Sequence, residues 1–304
     1  MQTPAQVLTL KGAPVPTLQV GALRDADPGG DLDQQLTTDG YLLLRGAHDP
    51  VEVEAARQEV LHRLDGVGEV AAPVEQGIAS GVSTRRAQYP TTQELGAFWR
   101  SVSEGDALRR VINGPRITGL MDRLFATPSK PFAFAWLRAM TAGRASPLHV
   151  DHPYMNRGTD RLVTCWTPLT PITLLDGPLY VLEGSHNWAD IRQQFEGHDV
   201  DRDPSRPGHI EADAIALTKA RRSRFLTTEF AQGDCLIFGM FTVHGSFDNN
   251  SANNRIRLSC DTRFQPADAP MDERFAGPDP SAHGGLGYGC LSASLPLSEA
   301  STAR

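Results

Sequence analysis

Apolar residues recur at helical spacing through the first third of the chain and at strand spacing through most of the rest. Val53, Ala56, Val60 and Leu64 fall on one stripe, Leu95, Phe98 and Val102 on a second, and Ile117, Leu120, Met121, Leu124 and Phe125 on a third. Each stripe has a start signal. Asp49 caps Pro50 with Glu52 three residues on, Thr91 is followed by Glu94 at capping-box spacing, and Pro115 stands at the head of the third run. Stripes of this kind are packing faces, so they predict helices that buttress a sheet. Ahead of them, residues 1–38 are rich in Gly, Pro, Asp and Gln and predict a surface wrap, and residues 41–45 an early strand.

From Phe132 onward, short apolar runs alternate with Gly, Pro and Asp turns, predicting strands at 132–141, 148–151, 161–167, 179–182, 225–230, 235–238, 242–244 and 255–264. Eight short strands after a helical third suggest an α+β chain built on a two-sheet jelly roll, the double-stranded β-helix. One domain over 1–304 is expected, with 1–130 a mostly helical buttress, 131–265 the jelly-roll core and 266–304 a tail. Three segments could cover a site: the irregular loop 68–92, the polar excursion 188–224 and the tail.

The most informative local pattern is His149-Val150-Asp151 followed by His244. In extended backbone, residues i and i+2 face the same way, so His149 and Asp151 can share one metal while Val150 packs behind. A later histidine brought across a small barrel completes two imidazoles and one carboxylate on one side of an ion. That set is associated with non-haem Fe(II) oxygenases and leaves positions open for co-substrate and oxygen. His152 faces the opposite way from Asp151, and His48, His62, His198, His209 and His283 have no metal-ligand spacing.

Four stretches, taken in order, resemble the phytanoyl-CoA dioxygenase family of Fe(II)- and 2-oxoglutarate-dependent oxygenases. They are Pro147-Leu-His-Val-Asp-His-Pro-Tyr, Asp176-Gly-Pro-Leu-Tyr-Val-Leu-Glu-Gly-Ser-His, Gly233-Asp-Cys-Leu-Ile-Phe, and His244-Gly-Ser followed by Arg255. A weaker match lies at Asp39-Gly-Tyr-Leu-Leu-Leu-Arg. The resemblance implies iron ligation by His149, Asp151 and His244. It also implies that Arg255, eleven positions after the distal histidine, grips the far carboxylate of 2-oxoglutarate, with Ser246 and Trp166 as further co-substrate contacts. Arginine suits that task, because its planar fork matches a carboxylate with two parallel bonds. Even spacing places Arg255, Arg257 and Arg263 on one strand face, so parity leaves Arg257 as the fallback, with Arg138 more distant. Arg263 reads more simply as a strand-face charge paired with Asp261 or another acid.

Composition narrows the partners. A net charge of −7 disfavours a nucleic-acid backbone or an anionic membrane, which leaves a small-molecule substrate; oligomeric state is not legible. The four cysteines form no Cys-x-x-Cys pair and read as buried small hydrophobes in a reducing compartment. With no secretory signal pattern at the start, a cytoplasmic protein is expected.

The expected activity is therefore that of a non-haem iron dioxygenase with Fe(II) as cofactor and 2-oxoglutarate and O2 as co-substrates. It would hydroxylate a C–H bond of a small metabolite and release succinate and CO2. An intact Asp151 favours hydroxylation over halogenation, because related halogenases place a small residue there. Desaturation, cyclisation or epimerisation at the same site is the near rival, and a non-catalytic cupin-like binding protein the distant one. Arg138, Tyr154, Asn156, Arg157 and Arg86 are the candidates for substrate contact.

Overall fold

In the computed structural model, which describes residues 7–299, two sheets face one another with helices packed on the outside of the larger one. The larger sheet runs in the order Tyr41–Leu44, Cys235–Gly239, Val163–Pro168, Arg257–Pro266, Ser129–Pro131, with Trp136–Met140 also paired to Arg257–Pro266. The smaller sheet runs His244–Ser246, Leu179–Leu182, Phe225–Thr227, Val20–Ala22, the last pair parallel.

The three expected helices form at Pro50–Asp65, Thr92–Ser103 and Pro115–Phe125, each started by its sequence signal. Asp49 accepts from the amides of Val51 and Glu52, and Thr91 with Glu94 closes a reciprocal capping box. Val53, Ala56, Val60 and Leu64 are all fully buried, which stabilises the first helix by about 1.5–3 kcal/mol per large side chain. Two more helices, Leu32–Asp39 and Asp106–Asn113, complete the buttress. Leu32–Asp39 lies largely in the stretch expected as a surface wrap, where no helix is predicted; its signals, the Asp31 cap and left-handed Gly40, are there to be read.

Several expected strands shift. The run 132–141 divides into Ser129–Pro131 and Trp136–Met140, because Phe132 and Ala133 turn aside to bond the carbonyls of Arg263 and Phe275. The expected strand 148–151 shrinks to single bridges at His149, and Asp151 already has helical backbone as it enters the turn His152–Tyr154. The tail after Gln265 packs onto the body through aromatic anchors: Phe275 and Tyr288 are buried, and Phe134 stacks on Tyr288 with ring centroids 4.2 Å apart. Cys165, Cys235 and Cys260 are buried, Cys290 partly so, and all four are free thiols. Among the described residues no helix is long and apolar enough to cross a membrane.

Candidate metal centre and active site

His149 and His244 sit side by side at the edge of the smaller sheet. Each donates its backbone N–H to the other's carbonyl at 2.9 Å, so the two segments, far apart in sequence, are fixed as one pair. Their rings lie 4.1 Å apart between centroids. Asp151 reaches the same point from its turn, anchored by its amide to the Met240 carbonyl at 3.1 Å. One ligand atom from each of His149, Asp151 and His244 lies within 4.8 Å of the others.

The hydrogen bonds around this trio decide which atoms face inward. His149 Nδ1 lies 2.8 Å from the Pro147 carbonyl and His244 Nδ1 2.9 Å from the Thr242 carbonyl, so both Nδ1 atoms are donors and both Nε2 atoms are left for the space beside Asp151. Those Nε2 atoms stand 3.5 Å and 3.7 Å from Asp151 Oδ1. The other carboxylate oxygen, Oδ2, is occupied: Thr164 Oγ1 donates to it, and Arg263 Nη2 does so at 2.9 Å. Burial acts to raise the Asp151 pKa, but Arg263 and the two imidazoles hold it well below the usual carboxylate range. Burial, with His149 beside it, pushes His244 down to about 3, keeping it unprotonated. Two imidazole Nε2 atoms and one ionised carboxylate oxygen therefore converge, which is the donor set that fits ferrous iron.

Beside the trio opens a narrow cleft, partly continuous with solvent, with Trp166, Phe238 and Leu179 as its apolar wall and Ser146, Ser246, Arg138, Arg257 and Asp261 as its polar one. Register explains the polar side. Arg257, Ser259, Asp261 and Arg263 alternate along one face, opposite Arg138 on one neighbour and Thr164 and Trp166 on the other. Gly245, between His244 and Ser246, must lack a side chain: a Cβ there would stand 2.7 Å from Tyr180 Oη and 3.0 Å from the Pro147 carbonyl.

The model of the family described as phytanoyl-CoA dioxygenase matches residues 36–257. The chain belongs to that family. Like the family, it is an Fe(II)- and 2-oxoglutarate-dependent oxygenase, and the His149, Asp151 and His244 donor set fits that chemistry. It is 29% identical to the 1-deoxypentalenic acid 11-beta-hydroxylase of Streptomyces exfoliatus over 86% of this chain and 89% of the relative. The corresponding hydroxylase of Streptomyces arenae is 28% identical over 78% and 81%. Among solved structures, the non-haem alpha ketoglutarate dependent carbocyclase SnoK from nogalamycin biosynthesis shares the fold with a TM-score of 0.53, at 18% identity over 82% of this chain and 89% of that one.

The structure redistributes the arginines around this family core. Arg255, expected as the co-substrate grip, forms an ion pair with Asp176 and is absent from the cleft wall, because the backbone there has not yet entered the strand, which starts at Arg257. Arg257 is the guanidinium that lines the cleft. It is buried, donates from Nη1 to the Gly177 carbonyl at 2.6 Å, leaves Nε without a partner, and has no carboxylate in ion-pair range among the described residues. Burial and the nearby charge of Arg138 lower its pKa to about 10, with Asp261 and Asp176 opposing.

Of the other expected contacts, Trp166, Ser246 and Arg138 line the cleft, and Tyr154 stands edge-on to the His149 ring at 6.2 Å. Asn156 and Arg157 do not face it. Asn156 donates to the His198 carbonyl, and Arg157 grips Asp199 with two bonds, tying the loop after Asp151 to the excursion. Arg86 is half-exposed and paired with Glu299 in the tail. The excursion itself passes the trio: Ile210 N–H donates to the Leu148 carbonyl at 2.8 Å and His209 bridges His149. His152 stacks on Phe241 at 4.4 Å, outside the trio. Two residues that touch Asp151, Thr164 and Arg263, escape a reading by spacing alone. The sequence marks Arg263 as an acid-paired strand-face charge, which it is, but does not single out Asp151 as the acid.

Proposed function

We propose that this oxygenase hydroxylates an unactivated C–H bond of a small-molecule metabolite. His149, Asp151 and His244 hold the iron, and Arg257 receives the far carboxylate of 2-oxoglutarate. The observation that carries the reading is the convergence of two Nε2 atoms and Asp151 Oδ1, with every other side-chain polar atom of the trio already satisfied. Iron(II) with 2-oxoglutarate supplies the oxidant, one oxygen atom of O2 going to succinate as CO2 leaves and the other to the substrate.

The chain's own work is placement and exclusion. Arg257 is a buried cation in want of an anion, and a guanidinium in that condition favours a carboxylate strongly. Ser246 Oγ accepts from the Ser146 amide at 2.7 Å, which fixes the wall between Arg257 and the trio. Trp166, Phe238 and Leu179 keep water from the opposite side. Arg263 and Thr164 confine Asp151 to one inward oxygen, so the remaining coordination face stays open to co-substrates.

Support for hydroxylation comes from the two Streptomyces relatives, both named as hydroxylases, and from the intact Asp151. The carbocyclase that shares the fold supports a second outcome, ring closure at the same kind of site. Incubation of the iron-loaded protein with 2-oxoglutarate, O2 and a metabolite panel tests both. Succinate formation with a product heavier by one oxygen atom is the expected result. A product lighter by two hydrogens would move the reading to desaturation or cyclisation, and no 2-oxoglutarate consumption with any substrate would end it.

A further inference from the structure

The cleft carries one positive charge more than its resident groups explain. Three guanidiniums, Arg138, Arg257 and Arg263, meet two carboxylates, Asp151 and Asp261. The imidazoles of His149 and His244 add no charge once they hold the iron, because a histidine ligates a metal as the neutral ring, here through Nε2 with Nδ1–H on a carbonyl. The neighbouring Arg255 and Asp176 cancel one another. On the reading proposed above, a divalent iron and a dianionic 2-oxoglutarate also cancel, so the excess cation persists in the loaded site. An uncompensated charge among largely buried groups is costly, and the remaining ligand is the group available to offset it.

Exposure identifies which of the three cations can meet that ligand. Arg263 is 2% exposed and committed to Asp151; Arg257 is 3% exposed and faces the co-substrate. The Arg138 side chain is 32% exposed while lining the same cleft. Asp261 Oδ2 accepts from its Nε at 2.9 Å and is 2.8 Å from Nη2, so one edge of the fork is anchored, and Nη1 makes no hydrogen bond among the described residues. Asp261 thereby aims Arg138 instead of consuming it. An anchored guanidinium with a free outer corner accepts a carboxylate with little loss of side-chain freedom.

We infer that the substrate is a monoanion bearing a carboxylate, and that Arg138 is the residue that recognises it. A dianionic phosphate would overshoot the single charge left to neutralise, and the apolar wall of Trp166, Phe238 and Leu179 fits a hydrocarbon body behind the acid.

The test uses the full-length, iron-loaded protein with 2-oxoglutarate under anaerobic conditions. It is titrated with apolar monocarboxylic acids of graded size and with the methyl ester of each, and binding is read from the rise in unfolding temperature. At least one acid is expected to bind about tenfold or more tightly than its ester, the scale of one desolvated charge pair. Arg138→Gln is expected to erase that difference while shifting the Kd for 2-oxoglutarate, read the same way, far less, and Arg138→Lys to restore part of it. The acid–ester comparison on the unaltered protein stands even if a variant fails to fold. Equal binding of acids and esters, no binding by any acid, or stronger binding by phosphate monoesters overturns the inference. A larger loss of 2-oxoglutarate affinity than of acid affinity for Arg138→Gln overturns it too, and would transfer the co-substrate grip from Arg257 to Arg138. Failure of the functional reading looks different: the protein would then not consume 2-oxoglutarate at all.

Discussion

Arg263 Nη2 lies 2.9 Å from Asp151 Oδ2, on the oxygen turned away from His149 and His244. The guanidinium is 2% exposed, stacks over Trp136 at 4.1 Å, and has hydrogen-bonding atoms to spare, Nε and Nη1. That pairing helps hold Asp151 ionised and leaves its other oxygen facing the two imidazoles. Arg263→Met is expected to weaken Fe(II) binding by about 10- to 100-fold, the usual cost of removing a partner behind a metal ligand. Competition titration against a chelator of known affinity measures it. Unchanged affinity would reduce Arg263 to a packing residue.

The cleft arginines separate by kinetics. Arg257→Ala is expected to raise the 2-oxoglutarate KM by about 30-fold or more, the loss of one buried charge pair of about 2 kcal/mol. Arg255→Ala is expected to lower stability modestly by freeing Asp176 while shifting that KM little. Steady-state succinate formation across 2-oxoglutarate concentrations decides between them, and the reverse pattern would reinstate Arg255.

His48 gives a pH dependence away from the metal. It is buried, with Nε2 3.0 Å from Thr167 Oγ1, and burial, helped by Arg116, pushes its pKa down to about 4. Its pKa is lower in the folded protein than the roughly 6.5 of the unfolded chain. Above that value neither state is charged and His48 costs nothing. As pH falls from about 6.5 toward 4, the unfolded chain takes up a proton that the folded one refuses, and stability is lost. At pH 4.5 the loss amounts to roughly 2–3 kcal/mol. Denaturant unfolding at pH 7 and pH 4.5 should show His48→Gln losing less stability than the parent protein; equal losses would count against it.

Gly245 tests how the distal histidine is set. Gly245→Ala forces a methyl group against Tyr180 Oη and the Pro147 carbonyl, displacing His244, and is expected to cost about 1–3 kcal/mol together with iron affinity. Adding Tyr180→Phe removes the nearer obstacle and should recover part of both. A second substitution that recovers neither would place the conflict elsewhere.

The three candidate metal donors are legible in the sequence because a two-residue step and one later histidine are simple signals. The arginines are not, since parity puts Arg255, Arg257 and Arg263 on one face without saying where the strand begins. Arg263 is readable as an acid-paired charge, but its principal partner is Asp151, 112 positions away, and that contact exists only because the sheet sets Arg263 opposite Thr164. Asp151 itself is expected on a strand and lies in a turn, a difference that a single tripeptide does not encode. Asn156 and Arg157 look like cleft residues by proximity in sequence; Asp199 draws Arg157 away, a partner no local pattern announces.

The reciprocal backbone bonds between His149 and His244 mean that the imidazoles are spaced before any ion arrives. Barrel closure has already met the entropy of assembling the donors, so loading iron demands little rearrangement. A rigid frame of this kind discriminates by size: a cation that prefers longer bonds or more oxygen neighbours finds no slack to accommodate it.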